Sequence, residues 1–113
     1  MKKYLALFMA PQTSFDKALK MPKDELATWN TQWQAWMQKL GSSSVDMGAP
    51  LARVKTVTQN SITDSRNNIG AYMIVQADSH DEAAKLFSDS PHFMLEGGSI
   101  EVMEAVPMPG TQA

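Results

Sequence analysis

Cysteine is absent from the 113 residues. That removes a disulfide framework and a thiol nucleophile, and it fits a reducing, cytoplasmic setting. Histidine is scarce. His80 and His92 stand twelve positions apart with no cysteine to join them, which makes no metal-ligand spacing. Charge of one sign is lacking too: ten basic against twelve acidic residues leave a net charge of -2. The basic residues are scattered, which argues against a nucleic-acid partner and against an anionic membrane surface. No apolar run approaches the ~20 residues of a membrane helix. Tyr4 to Ala10, behind Met1-Lys2-Lys3, has the greasiness of a signal peptide. It is short for one, and a cut after Ala10 would place bulky Phe8 where a small residue is wanted. It reads instead as a buried strand. No glycine-rich phosphate loop is present, because Gly97-Gly98 opens a strand and not a helix. Neither a metal nor a cofactor is expected.

What is there reads as one domain over residues 1-113, with 43% apolar residues and a modest core. The organising stretch is Ile69 to Phe87. Ile69, Ala71, Met73, Val75 and Ala77 share one face of a strand, and Tyr72, Ile74 and Gln76 share the other. Both faces are mostly apolar, which places the strand inside a sheet. Ser79-His80-Asp81-Glu82 is a capping box, with Ala83, Ala84, Leu86 and Phe87 at helical spacing behind it and Ser90-Pro91 as the stop.

Around that stretch, Lys3 to Met9 is a first strand, apolar on both faces. Gln12 to Met21 is a connection with room for a helical turn at Ser14 to Leu19. Pro22 opens a helix whose apolar face is Leu26, Trp29, Trp33, Trp36, Met37 and Leu40, and Gly41 stops it. Val45 to Gln59 reads as a second strand, irregular at Gly48-Ala49-Pro50. Asn60 to Asn68 reads as a polar turn, and Ser99 to Val106 as the last strand. The order strand, helix, strand, strand, helix, strand predicts an α+β, ferredoxin-like βαββαβ fold with a four-stranded antiparallel sheet. Two helices cover only one side of such a sheet. A second copy is the simplest cover for the other, so a homodimer is expected.

Several segments, in order, resemble the YCII-related family, and its DGPF-type branch in particular, within the dimeric α/β-barrel group. They are Lys2-Lys3-Tyr4-Leu5-Ala6-Leu7-Phe8, the helix with Trp33, Trp36 and Met37, Gly48-Ala49-Pro50-Leu51, Ile62-Thr63-Asp64-Ser65, Gly70 to Val75, Ala77-Asp78-Ser79, and Gly97 to Val102. The resemblance implies a dimer of ferredoxin-like protomers with a cleft of small-molecule size; most members have no assigned reaction. Two features depart from it. Asp64 is followed by Ser65-Arg66-Asn67 in place of Gly-Pro-Phe. The histidine that some relatives use near the end of the first strand has no counterpart between Met9 and Ser14.

For chemistry, His92 is the foremost ionisable candidate. In a loop beside glycines it can serve as an acid or base near neutral pH, or simply bond the backbone. On the first reading, alanine at 92 would leave stability nearly intact. Asp46 can orient a histidine or contact a ligand, or meet water at a strand start. Tyr72 can offer its hydroxyl to a pocket or pack in the sheet. Trp29, Trp33 and Trp36 are core by spacing, although Trp33 can also line a cleft. His80 reads as a solvent-facing first-turn residue, and the dispersed methionines as soft packing. RNA binding fits the strand order, but the third-strand segment Gly70 to Val75 has one aromatic and no basic residue. Two functions therefore stand side by side. One is a dimer that binds a small apolar or aromatic molecule, with acid–base chemistry at His92 and Asp46 and with Tyr72 and Trp33 at the ligand. The other is a non-catalytic accessory dimer for a protein partner.

Overall fold

The computed structural model describes residues 1-110. The alternating apolar run at the N-terminus forms β1 (Lys2–Met9), and its neighbours follow in chain order as α1 (Gln12–Leu19), α2 (Lys23–Leu40), β2 (Ser44–Pro50), β3 (Val54–Val57), β4 (Ile62–Ser65), β5 (Ile69–Ala77), α3 (His80–Lys85) and β6 (Ser99–Glu104). The main sheet is four-stranded and antiparallel, ordered β2-β5-β1-β6. This is the ferredoxin-like arrangement, with β1 and β5 in the two central places that their two apolar faces called for.

The helix-side core follows the period of two. Tyr4, Ala6 and Phe8 of β1 and Met73, Val75 and Ala77 of β5 are buried together with Trp36, Leu40, Ala83 and Phe87. Phe8 is the hub: its ring lies 5.3 Å from Trp33, 6.3 Å from Trp36, 5.8 Å from Phe87 and 5.4 Å from His92. All four contacts are edge-on, the arrangement that ring quadrupoles favour. α2 buries only Trp36 and Leu40 fully. Leu26, at its other end, is exposed, because the first turns of this long helix overhang the core.

Ser79 caps α3 as its sequence indicated, its Oγ accepting from the Glu82 N–H at 3.1 Å. His80 is exposed, but it does not simply face solvent: its ring stacks on Tyr4 at 5.3 Å and Nε2 bonds the Val102 carbonyl at 2.7 Å. The α3 helix is one turn shorter than its pattern and gives way to turns before Ser90.

The middle of the chain departs from expectation. The predicted second strand breaks at Leu51 to Arg53, where Arg53 adopts a left-handed φ of 56°. It resumes as β3, which pairs with β4, and β4 lies inside the segment read as a polar turn. β-branched Ile62 and Thr63 favour the strand. Cross-strand contacts close it: Lys55 Nζ to Asp64 Oδ1 at 2.6 Å, and the hydroxyls of Thr56 and Ser65 at 2.7 Å. The connection after β1 is likewise a full helix, α1. Its Phe15 ring occupies the space over Gly70, where an added Cβ would come within 2.4 Å. Gly70 sits at the register shift between β1 and β5, so the missing side chain is what lets α1 dock there.

Both helices of the expected pattern lie on one side of the sheet. The molecule spans 50 × 43 × 20 Å. Twenty ångströms is one helix layer on one sheet layer, at roughly 10 Å each.

Candidate functional site

His92 is positioned by five polar contacts, four of them between distant parts of the chain. Ser90 caps the 3-10 turn Pro91–Met94, its Oγ accepting from the His92 N–H at 3.2 Å. Trp29 Nε1 donates to the Pro91 carbonyl at 3.3 Å, and Trp36 Nε1 donates to Asp89 Oδ1 at 3.1 Å. Lys39 holds the other oxygen of Asp89. The Lys39 hydrogen bond and then that of Trp36 keep the Asp89 carboxyl below its ordinary range. The segment from Asp89 to His92 is thus laced to α2 on one side. On the other, His92 Nε2 bonds the Met9 carbonyl at the end of β1, 2.7 Å away. A carbonyl can only accept, so Nε2 carries the proton. The residue is 2% exposed, and its ring lies edge-on against Phe8. A histidine drawn as a loop residue is therefore a buried cross-tie between β1 and the α3–β6 connection. Gly98 makes room for it, since a Cβ there would stand 2.9 Å from the His92 carbonyl.

The other candidates lie elsewhere. Asp46 is exposed on β2, and its Oδ1 accepts from the Gly48 N–H at 2.8 Å, shaping the irregular edge strand. Asp46 and His92 share no hydrogen bond among the described residues. Trp33 packs on Phe8, on the helix side. Tyr72 pairs with Leu7 across the β1–β5 ladder. Leu7 and Phe8 are consecutive and point to opposite faces, so Tyr72 lies on the face opposite Trp33 and His92. The chain does not bring Trp33, Tyr72 and His92 into one cleft. An open depression of about 460 Å³ on the helix side, lined by Gln32, Trp36, Lys39, Asp89, Pro91 and Met94 among others, includes none of the four candidates. Among the described residues no three His, Cys, Asp or Glu side chains gather as a metal site, and no helix is long and apolar enough to cross a membrane.

The face around Tyr72, expected to be apolar and uncovered, includes residues that were not singled out one by one. Leu5 and Leu7 of β1 stand opposite Ile74 and Tyr72 of β5, and Leu5 also stands opposite Met103 of β6. Leu5, Leu7, Tyr72 and Ile74 are half-buried and Met103 is 40% exposed. The signal was the second apolar register of the central strands, which marks a face without naming a chemistry.

Neither a family model nor a curated protein matches the chain. Among solved structures it is similar to 5-chloro-2-hydroxyhydroquinone dehydrochlorinase from Burkholderia phenoliruptrix, determined in complex with 2,5-dihydroxybenzoquinone. The identity is 17%, the TM-score is 0.56, and the match covers 92% of this chain and 93% of that one. The likeness is one of fold.

Proposed function

We propose that the protein works as a homodimer of the dimeric α/β-barrel kind, paired through the open sheet face, and holds a small apolar or aromatic molecule between the two sheets. The observation that carries this is the half-buried apolar face of Leu5, Leu7, Tyr72 and Ile74 in a molecule only 20 Å thick. Surface area agrees. The chain exposes 8139 Å², against about 6,200 Å² for a compact chain of its mass. The excess is larger than the roughly 800 Å² per partner hidden in a standard interface. Tyr72 supplies the polar group that would orient a ligand among aliphatic side chains. The quinone in the similar structure supports a flat, oxygen-bearing ligand, and the segments resembling the YCII-related family support no more than a cleft of small-molecule size.

A second reading, the accessory dimer, is favoured by one observation. His92 is buried with its Nε2 on the Met9 carbonyl, and exposed Asp46 shares no hydrogen bond with it among the described residues, which leaves the expected acid–base pair unassembled. The test is sedimentation together with thermal-shift titration against 2,5-dihydroxybenzoquinone and a panel of phenols. A dimer whose Tm rises with ligand in the wild type, and much less in Tyr72→Ala, is expected. A ligand held at about 100 times its Kd stabilises by ~2.7 kcal/mol, a shift that is easily read. A dimer indifferent to the whole panel would turn the assignment to the accessory role.

A further inference from the structure

The β3–β4 hairpin packs on little besides itself. It continues β2 and β5 past the end of the four-stranded sheet. Its root is fixed, through Arg66 to Asp16 at 3.0 Å and the Ala10 N–H to the Asn68 carbonyl at 3.0 Å. Its tip is not. Val57 and Ile62 stand directly opposite each other beside the turn, 71% and 68% exposed. Lys55 and Asp64, two residues down on the same face, form an ion pair behind them. A lone two-stranded hairpin is marginal in water, and an exposed apolar pair at its end adds nothing to the protomer.

We infer that this hairpin is an arm for a second copy of the chain: Val57 and Ile62 of each protomer seat against the partner and close one mouth of the space between the two sheets, so that each ligand space is lined by both chains. The inference rests on the dimer proposed above. The occupant is a second copy because the arm is continuous with the open sheet. A copy laid on that face by a two-fold rotation meets the overhang, and the excess surface is more than a standard interface on the sheet alone would hide.

The native chain has no cysteine, so a single introduced thiol reports cleanly. Ile62→Cys is labelled with a maleimide in two backgrounds, otherwise wild type and carrying Ile74→Asp on the open face, with sedimentation on the same samples. Gln34→Cys, on the exposed side of α2, is the control and should label equally in both. The expected result is a dimer in the first background, a monomer in the second, and labelling at position 62 at least ten-fold slower in the dimer. Equal labelling rates in a chain that does dimerise would overturn the arm and leave the dimer standing. A first background that is monomeric, or an Ile74→Asp chain that still dimerises, would overturn both.

Discussion

Replacing His92 by alanine should unfold the protein substantially more easily, and the size of the loss can be worked out. The Nε2–H bond to the Met9 carbonyl contributes ~1 kcal/mol. Its removal also leaves a carbonyl at the end of a central strand without its partner, at ~1–3 kcal/mol if water cannot reach it. The vacated ring space lies against Phe8, so relaxation there disturbs the aromatic cluster. The first two give about 2–4 kcal/mol, out of the roughly 5–15 kcal/mol that holds a typical domain. For a chain of this length each kilocalorie is worth about 4 °C, so Tm should fall by about 8–16 °C. Denaturant unfolding followed by tryptophan fluorescence reads it directly, with protein concentration held fixed because association moves Tm. His92→Gln, whose amide nitrogen reaches a similar position, should recover at least a third of the loss. A drop under about 2 °C in the alanine variant would refute the cross-tie and return His92 to the position of a free acid or base.

Three further outcomes are expected. Tyr4 is fully buried, and its hydroxyl is the buried side-chain polar atom that finds no partner among the described residues. Tyr4→Phe should therefore be neutral or stabilise by up to ~1 kcal/mol in thermal unfolding, and a clear loss would show that the hydroxyl is bonded in solution. Gly48 has a φ of 69°, and a Cβ there would lie 1.8 Å from the Tyr72 carbonyl oxygen. Gly48→Ala should cost more than ~2 kcal/mol and strip hydrogen-exchange protection from β2, while Gly41→Ala, at φ 55° and ψ -129° but with open space around it, should cost less, roughly 1–2 kcal/mol. Asp89 has its pKa lowered in the folded state, chiefly by Lys39. Its contribution is present above its unfolded value near 3.8 and is lost as pH falls through the folded one. Asp89→Asn should flatten the acid side of the stability curve below about pH 4, and an unchanged slope there would contradict the pairing.

The elements that could be read in advance were those whose local chemistry and burial agree. The Ile69–Ala77 strand carries its alternation into the core unaltered, and Ser79 caps the next helix because a hydroxyl at that spacing can reach the Glu82 amide. The β4 strand could not be read the same way. Asp64-Ser65-Arg66-Asn67-Asn68 has turn-like composition, which masked the β-branched pair Ile62-Thr63 before it, and the facing residues Val54 to Val57 complete the strand. That is cross-strand information, absent from a local window. The α1 helix was underestimated for a similar reason, since Phe15 needs Gly70, far along the chain, to dock. The candidate site fared worse because spacing in sequence does not reveal parity. Leu7 and Phe8 are neighbours, yet one belongs with Tyr72 and the other with His92. For His92 a bond to the backbone was one of two readings, and its burial could not be foreseen because its partner, the backbone carbonyl of Met9, leaves no mark in the sequence.

The contrast between the two faces also says where the proposed dimer would get its strength. Leu5, Leu7, Tyr72 and Ile74 are already half-buried by their neighbours in the sheet. Each has therefore surrendered part of the ~1.5–3 kcal/mol that full burial of such a side chain yields. Two proteins meeting must overcome ~4–15 kcal/mol of lost freedom, so the sheet face alone stands close to break-even. Val57 and Ile62 keep most of their apolar surface in water, and they sit on a support whose root is already fixed by Arg66 and Asn68, which limits the ordering cost of docking them. In the proposed dimer, a few side chains with their burial still in hand would thus decide whether the two sheets stay together. The arm, at the edge of the interface, would then set the dimer's lifetime more than the broad face at its centre.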